Sequence, residues 1–209
     1  MIELRGVTKS FGEKKIFENF DLDIKPNEIT AIVGSSGKGK TTLLNLIGLL
    51  DTEYEGQIIV NGTNLKNLRA KQRARFIREN INYLFQDFAL IESENVEYNL
   101  LLSLEYTKLV QKDKIKLIDN ALLKVGLQKF NKKLVYTLSG GEQQRVALAR
   151  TIIKPGSIVL TDEPTGNLDE KNGNIVFDLL EQLKKDNKTV VIVTHNLELA
   201  RRCDNLIEI

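Results

Sequence analysis

The stretch Gly34-Ser35-Ser36-Gly37-Lys38-Gly39-Lys40-Thr41 decides the fold, because it follows the apolar run Ile29 to Val33 and precedes a helical pattern that starts at about Thr42. It fits the pattern of a glycine, four residues, Gly-Lys and then serine or threonine, which is typical of phosphate-binding loops. The glycines let backbone amides turn inward around phosphate oxygens, and the following helix presents its positive dipole end. The sequence therefore predicts a nucleotide-binding α/β domain.

Individual residues of this loop have separate expected roles. Lys40 supplies a positive charge to the β and γ phosphates of a nucleotide, and Thr41 is placed to bind magnesium. We expect the other residues of the loop and of the helix start to contact the nucleotide as well: Gly34, Ser35, Ser36, Gly37, Lys38, Gly39 and Thr42. Whether the additional cation of Lys38 changes nucleotide affinity or points to solvent stays open.

Length and composition limit the alternatives. The 209 residues are room for one domain, with at most an inserted subdomain, and 42% hydrophobic and 28% charged residues are typical of an ordinary folded chain. A formal charge of +2 is too small for bulk electrostatics to drive binding to nucleic acid or anionic lipid, so we expect no nucleic-acid partner. The only cysteine, Cys203, excludes an internal disulfide and fits a cytoplasmic compartment.

The sequence also gives no sign of a membrane segment. Residues 1–15 carry charge throughout, where a signal peptide would need an unbroken apolar segment, and Asn45 and Gly48 interrupt the longest apolar stretch, Leu43 to Leu50. We expect nothing in the chain to span a bilayer. The chain ends at Ile209, so we also expect no regulatory carboxy-terminal domain.

Hydrophobic periodicity divides the chain into three parts. Short strands are predicted within the first 60 residues and again at Ile81 to Phe85, and a helical insertion is predicted from Val96 to Ile153. A β-α-β unit then follows, and its predicted elements are the strand Ile158 to Leu160, a helix from about Lys171 to Lys185, the strand Val190 to Val193 and a last strand, Leu206 to Ile209.

Two of these later strands end in candidate catalytic residues. Asp162 and Glu163 follow a buried strand, so Asp162 is expected to hold magnesium through water and Glu163 to act as general base on an attacking water. Without the phosphate-binding loop, two solvated acids in a turn would be the better interpretation. His195, the sole histidine, follows the next strand; a lone histidine is more often structural, but this strand end favours a role near the γ-phosphate.

A second motif narrows the class of nucleotide-binding protein to which the chain can belong. Leu138-Ser139-Gly140-Gly141-Glu142-Gln143-Gln144-Arg145 precedes the acidic strand, and its serine and glycine amides open a predicted helix from about Gly141 to Ile153, which is a second anion-binding helix terminus. The octapeptide resembles the signature motif of ATP-binding cassette (ABC) ATPases, and the resemblance covers nearly the whole chain.

This resemblance implies a single ABC ATPase domain over residues 1–209. Its expected fold is an α/β P-loop core, a parallel sheet with flanking helices, to which an amino-terminal antiparallel β-subdomain and an inserted α-helical subdomain are added. The core and the β-subdomain are expected at about 1–86 and 157–209, and the helical subdomain, which includes the signature motif, at about 87–156.

The resemblance also implies a composite site. Two copies of the chain are expected to pair head to tail as a homodimer, with ATP and Mg²⁺ between the P-loop of one copy and the signature residues of the other, which are Ser139, Gly140, Gly141 and Glu142. Asp169 matches the D-loop aspartate that bridges the two subunits. Gln86 matches the Gln-loop residue that contacts magnesium and the hydrolytic water, and His195 matches the switch histidine at the γ-phosphate.

Phe11 lies where the family usually has an aromatic residue, often tyrosine, that stacks on adenine. A surface or core phenylalanine is the alternative interpretation, because stacking is a modest energy.

The tract Pro164 to Asp169 resembles the branch that contains macrolide exporters, lipoprotein-release ATPases and bacteriocin or antimicrobial-peptide exporters. It implies a separate integral membrane permease and a position on the inner face of the cell membrane. Asp87 to Glu97 is the candidate contact segment, in which Phe88, Leu90 and Ile91 either receive the permease or belong to the core. A basic cluster is interpreted mainly as a solvated face, with a membrane-surface role as the alternative; it consists of Lys66, Arg69, Lys71, Arg73, Arg75 and Arg78.

Two competing functions stay open. A soluble ABC ATPase that acts in the assembly of another complex, for example an iron-sulfur assembly factor, would share all these motifs. A P-loop kinase that transfers phosphate to a small acceptor would leave the signature motif unexplained.

Overall fold

The computed structural model describes residues 1–85, 87–166 and 168–209, which form nine strands and seven α-helices. The strands are β1 (Ile2–Phe11), β2 (Lys14–Ile24), β3 (Ile29–Val33), β4 (Glu55–Val60), β5 (Thr63–Asn64), β6 (Ile81–Leu84), β7 (Ile158–Asp162), β8 (Thr189–Val193) and β9 (Asn205–Glu208). The helices are α1 (Lys40–Ile47), α2 (Ala70–Asn80), α3 (Val96–Ser103), α4 (Gln111–Lys124), α5 (Gly140–Ile153), α6 (Glu170–Lys185) and α7 (Leu197–Arg201).

A parallel sheet carries the predicted phosphate-binding loop. Its strand order is β6-β7-β8-β3-β9, and every neighbouring pair is parallel. All five residues of β3 and of β8 are buried, which explains why these strands are apolar without alternation. Because β7, β8 and β3 are neighbours, their carboxyl ends lie side by side at one edge of the sheet.

An antiparallel sheet lies beside it, in the order β2-β1-β4-β5. Ile2 in β1 pairs with Ile24 in β2 on one side and with Val60 in β4 on the other. The buried residues of this sheet share a hydrophobic cluster with Leu43 and Ile47 of α1. The antiparallel sheet thus packs against the helix that follows the phosphate-binding loop, and the strands of the predicted β-subdomain are antiparallel as expected.

Helices α3, α4 and α5 lie inside the range predicted for the helical insertion. Val96, Ile118 and Val146, one from each helix, belong to a single core cluster that also contains Val176 of α6. The α5 residues 146–149 are all buried, because this helix lies between the other helices and the parallel sheet. The division of the chain into subdomains at about 87 and 156 stays a prediction.

The predicted contact segment is split between core and surface. Phe88 and Leu90 pack against the core cluster, whereas Ile91 is exposed. These contacts support the core interpretation for Phe88 and Leu90. The basic residues of α2 lie on a helix without buried residues, and Arg75 pairs with Glu79, as a solvated face would.

Two short elements have no counterpart in the predicted pattern. Strand β5 has two residues, and α7 has five, whose first turn is capped by the side chain of Asn196. Both are shorter than the window over which periodicity can be recognised. Within the described residues, no helix combines the length and the apolar character that a membrane crossing requires.

Candidate functional site

The carboxyl ends of β3, β8 and β7 meet in an open cleft, which we call the P-loop cleft. Its volume is about 550 Å³. It is lined by Phe11, Lys14, Ile16, Ser36, Gly37, Gly39, Lys40, Thr41, Thr42, Asp162, Glu163, Val193 and His195. The structure thus brings residues from five segments of the chain to the sheet edge where ligands of α/β proteins bind.

The loop after β3 wraps around its own lysine. The ammonium of Lys40 donates to the carbonyl oxygens of Gly34 at 2.8 Å and of Ser35 at 3.0 Å, so the charge lies inside the loop. Gly39, the residue before α1, has a φ of 95°. A Cβ there would come within 2.3 Å of the Ile16 side chain, so only glycine fits where the loop passes β2.

Thr41 and Asp162 form the candidate magnesium site. The Thr41 hydroxyl donates to Asp162 Oδ2 at 2.7 Å, which joins the start of α1 to the end of β7. Hydroxyl and carboxylate oxygens are the ligands that Mg²⁺ prefers, and it commonly takes its remaining ligands from phosphates and water. The described residues contain no group of three or more His, Cys, Asp or Glu side chains that could together hold a metal ion. Gln86, the third predicted ligand, lies outside the described residues.

Glu163 is held by the strand next to its own. Its Oε1 lies 2.6 Å from His195 Nδ1 and accepts from the His195 backbone amide at 2.8 Å, while Oε2 accepts from the Thr194 hydroxyl at 2.9 Å. The backbone of Glu163 has a φ of 46°, a conformation uncommon for a residue with a side chain. Such strain is concentrated at functional sites, because the surrounding contacts must maintain it.

Thr194 is a site residue that the sequence pattern did not single out. It is fully buried, and its hydroxyl donates to Glu163 and accepts from the Asn196 amide at 3.0 Å. The one sign of this position in the sequence is that Thr194, a polar residue, directly follows the apolar run Val190 to Val193. Val193, Lys14 and Ile16 also line the cleft but carry no motif that would have identified them.

Phe11 is placed as an aromatic platform at the rim of the cleft. Its side chain is 53% exposed, and the ammonium of Lys9 lies 4.6 Å from its ring centroid. Lys9 itself is only 3% exposed; it pairs with Asp51 at 2.8 Å and donates to the Glu53 carbonyl at 2.7 Å. One face of the phenyl ring is therefore supported by a fixed cation, and the ring is not a core residue.

Several predicted nucleotide contacts do not line the P-loop cleft. Gly34, Ser35 and Lys38 are absent from its walls, and Lys38 is exposed. The signature residues lie elsewhere too, at the start of α5. There the Ser139 hydroxyl accepts from the Glu142 amide, while the Glu142 carboxylate accepts from the Ser139 amide at 2.8 Å. That backbone hydrogen bond lowers the pKa of Glu142 below its usual value.

Asp169 also lies outside the cleft, but it is linked to the signature helix. Asp169 caps the start of α6: its Oδ1 accepts from the Asn172 backbone amide at 2.8 Å, and its Oδ2 accepts from the Asn172 side chain at 2.9 Å. The pKa of the Asp169 carboxyl is lowered below its usual value. The largest of several causes is the hydrogen bond that it accepts from the Asn172 backbone amide. The Asn172 side-chain oxygen in turn accepts from Arg145 of α5 at 3.1 Å. One asparagine thus connects the D-loop residue with the signature helix.

The chain matches a known protein family and known proteins along its length. The model of the family described as ABC transporter matches residues 17–166. The macrolide export ATP-binding/permease protein MacB of Campylobacter fetus subsp. fetus (strain 82-40) is 34% identical over 213 residues, which cover all of this chain and 33% of that protein. The chain therefore spans about one third of the length of the curated relatives it matches.

Solved structures give the same picture for the fold. The dimeric structure of MJ0796, a bacterial ABC transporter cassette, has a TM-score of 0.91 and 36% identity, covering all of this chain and 94% of that one. A dimeric post-hydrolysis state of MJ0796 bound to ADP and Pi has a TM-score of 0.90 and 34% identity, with the same coverage. These similarities confirm the predicted fold class of a parallel-sheet core with an antiparallel sheet and added helices.

Proposed function

The chain belongs to the ABC transporter family, and from this premise we propose that it is the ATP-hydrolysing cassette of a transporter, with MgATP in the P-loop cleft. One observation carries the proposal: the Thr41–Asp162 pair and the Glu163–His195 pair meet in the cleft that the phosphate-binding loop lines. A phosphate charge, a metal ligand pair and a general base are the parts that phosphoryl transfer to water requires.

Each wall of the cleft has its part in binding. Phe11 stacks on the adenine, and the loop amides with Lys40 hold the phosphates. Thr41 and Asp162, together with Gln86, hold Mg²⁺, which neutralises charge on the β and γ phosphates when it is bound. These residues bind the nucleotide and the metal ion and take no part in the proton transfer.

Glu163 performs the proton transfer. A water between its carboxylate and the γ-phosphate gives a proton to Glu163 as its oxygen bonds to phosphorus, and the bond from that phosphorus to the β–γ bridging oxygen breaks. ADP and inorganic phosphate are the products. Thr194 and His195 orient the carboxylate, and His195, exposed at the rim of the cleft, contacts the γ-phosphate.

The second half of the site comes from another copy of the chain. The start of α5 offers amides and a dipole for an anion, yet it lies outside the P-loop cleft of its own chain. In a head-to-tail homodimer, residues 139–142 of each copy face the γ-phosphate bound by the other, and Asp169 bridges the two. The dimeric structures of MJ0796 support the pairing of two copies.

The cycle of closing and opening drives an integral membrane permease, with the cassette on the inner face of the cell membrane. Similarity to macrolide export ATP-binding/permease proteins supports export of a drug-like substrate, and a peptide or a lipoprotein that is exported or extracted is the other proposed substrate. It also disfavours the alternative of a soluble assembly ATPase, since those relatives are ATP-binding/permease proteins.

The Glu163→Gln variant tests the proposed hydrolysis. Because the amide cannot accept the water proton, we expect the rate of MgATP hydrolysis to fall about 10²- to 10⁴-fold while the Kd for MgATP stays within about threefold. Phosphate release and isothermal titration measure the two quantities. Glu105→Gln, the same change at an exposed position away from the cleft, is the control. Hydrolysis by Glu163→Gln at the wild-type rate would show that Glu163 is not the base.

A further inference from the structure

A buried lysine lies next to the Phe11 ring at the rim of the P-loop cleft. Lys9 is near the end of β1, and its side chain is 3% exposed. Removing an ammonium from water costs free energy unless a paired charge and hydrogen bonds compensate it. A methionine of similar length would fill this position without that cost, so the charge itself is the feature that needs an explanation.

Two oxygen atoms fix the Lys9 ammonium. Its Nζ lies 2.8 Å from Asp51 Oδ2 and donates to the Glu53 carbonyl at 2.7 Å. The other oxygen of Asp51 accepts from the Glu53 backbone amide at 2.9 Å, so the carboxylate is itself held in place. Burial alone would raise the pKa of the Asp51 carboxyl, but the Lys9 ammonium and the Glu53 amide keep it below its usual value. The carboxylate therefore stays ionised opposite the lysine at neutral pH.

The same ion pair joins the end of β1 to the helix that begins in the phosphate-binding loop. Asp51 follows α1, and its backbone amide donates to the Asn45 carbonyl of that helix at 3.1 Å. Helix α1 begins at Lys40, the proposed phosphate ligand. Within the described antiparallel sheet, Thr8 is the last residue of β1 that pairs with β4. Beyond that residue, the Lys9 side chain links β1 to the segment between α1 and β4.

The Phe11 ring, two residues further along β1, lies against this fixed cation. The Lys9 ammonium is 4.6 Å from the ring centroid, within the distance at which a cation is attracted to the face of an aromatic ring. The Phe11 side chain is 53% exposed and lines the P-loop cleft. The cation thus occupies one face of the ring, and the exposed surface of the ring lies in the cleft.

Two effects of the cation favour a nucleotide base on that exposed surface. Phe11 lies at the end of the β1–β2 hairpin, and a ring held there against a fixed charge has already lost rotational freedom, so stacking costs less conformational entropy. The ammonium also draws π-electron density towards itself, which reduces the repulsion between the opposite ring face and the π electrons of a stacked base. Both effects concern the base of a nucleotide and not its phosphates.

We propose that Lys9 is a positioning residue for adenine: its ammonium, fixed by Asp51 and by the Glu53 carbonyl, holds and polarises the Phe11 ring on which the base stacks. Lys9 is not among the described residues that line the P-loop cleft, so it acts through Phe11 and not by contact with the nucleotide. This role rests on the proposed function, which places ATP in the cleft. A lysine that only stabilised the turn after α1 would affect every ligand of the cleft alike.

The test compares a ligand that has a base with one that lacks it. Isothermal titration of the full chain with MgADP, which is not hydrolysed, and with magnesium pyrophosphate measures both Kd values. Lys9→Met keeps the length of the side chain but removes its charge. We expect the Kd for MgADP to rise about three- to fivefold and the Kd for magnesium pyrophosphate to change less than about 1.5-fold. Lys9→Arg, which keeps a cation, should bind MgADP more tightly than Lys9→Met.

A double-mutant cycle tests whether Lys9 acts through the ring. In the Phe11→Ala background, Lys9→Met should change the Kd for MgADP less than about 1.5-fold, since no ring is left to position. Lys66→Met is the matched control, because Lys66 also lies over an aromatic ring, 5.8 Å from the Tyr54 centroid, but outside the walls of the P-loop cleft. Both Kd values of this control should stay within about 1.5-fold of wild type.

A second variant covers a folding defect. Lys9→Met leaves the Asp51 carboxylate without its cation, which can destabilise the chain, and thermal unfolding shows whether the variant folds. If it does not, Lys9→Met combined with Asp51→Asn removes both charges and takes its place. The same selective loss of MgADP affinity is expected.

Three results would overturn this role of Lys9: unchanged affinity of Lys9→Met for MgADP, equal losses for MgADP and magnesium pyrophosphate, or a loss that persists in full in the Phe11→Ala background. Failure of the proposed function has a different signature, because the wild-type chain would then release no phosphate from MgATP, whatever its affinity for MgADP.

Discussion

The P-loop cleft and the start of α5 are both candidate anion-binding regions, but they differ in which segments of the chain form them. In the cleft, groups from separate strands already touch: Thr41 contacts Asp162, and Glu163 contacts His195. At the start of α5, the Ser139 hydroxyl and the Glu142 carboxylate form hydrogen bonds within a capping box. One region joins separate strands and a helix of a single chain, whereas the other is a helix terminus capped by its own residues.

The proposed symmetric pair of chains accounts for this difference. A capping box fixes the backbone at the helix start, so the amides of α5 are oriented before any ligand arrives. In the proposed head-to-tail pair, the start of α5 in each copy faces the open P-loop cleft of the other copy.

Removing the Lys40 charge from the P-loop cleft should have the largest effect on nucleotide binding. In Lys40→Met the phosphates lose a charged hydrogen bond, so we expect the Kd for ATP to rise about 10- to 100-fold. Isothermal titration measures it. Lys38→Met removes the same charge from a side chain outside the cleft walls and should change the Kd less than about threefold. Equal losses in both variants would contradict the placement of Lys38.

Loosening the contact between Asp169 and helix α5 should have a smaller effect, and it should change only kcat. Asn172→Ala removes the contacts that join Asp169 to Arg145, so we expect kcat for ATP hydrolysis to fall about fivefold while KM changes less than twofold. Asn174→Ala is the matched control, since Asn174 lies on the same helix and pairs with Arg202 instead. A KM effect equal to the kcat effect would place Asn172 in ATP binding.

How far the sequence predicts these regions depends on how local each feature is. The strand, loop and helix around Lys40 are contiguous, so one pattern predicts them together. The contact of Glu163 with Thr194 and His195 depends on β7 and β8 being neighbours, which no single segment encodes. Motif positions therefore identified Glu163 and His195 but not Thr194, whose importance appears only once the strands are paired.

The same limit applies to exposed apolar residues. Phe88 and Leu90 were equally compatible with docking and with the core, because a short apolar run does not reveal which side faces the protein. The structure packs both against the core and exposes Leu50 and Leu102 instead. These two come from segments far apart in sequence, so periodicity could not combine them.

For ATP binding, the effect at the rim of the P-loop cleft should be smaller than that of Lys40→Met. Aromatic stacking is worth about 0.5–1.5 kcal/mol, so Phe11→Ala should raise the Kd for ATP about two- to tenfold. Phe11→Tyr keeps the ring and should bind ATP as wild type does, as titration of both variants can show. If Phe11→Ala binds ATP with unchanged affinity, Phe11 is a surface residue rather than an adenine platform.

The central claim, that one chain binds ATP and a second chain completes the site, is tested most directly by the mass of the complex in solution. Gly140→Asp places a negative charge at the start of α5, and its Cβ would meet no atom within 4 Å in the single chain. In the Glu163→Gln background, light scattering with MgATP should show a dimer. Addition of Gly140→Asp should leave a monomer that still binds ATP, whereas the exposed control Gln128→Asp should dimerise. A dimer of the Gly140→Asp variant as stable as that of the control would contradict the claim.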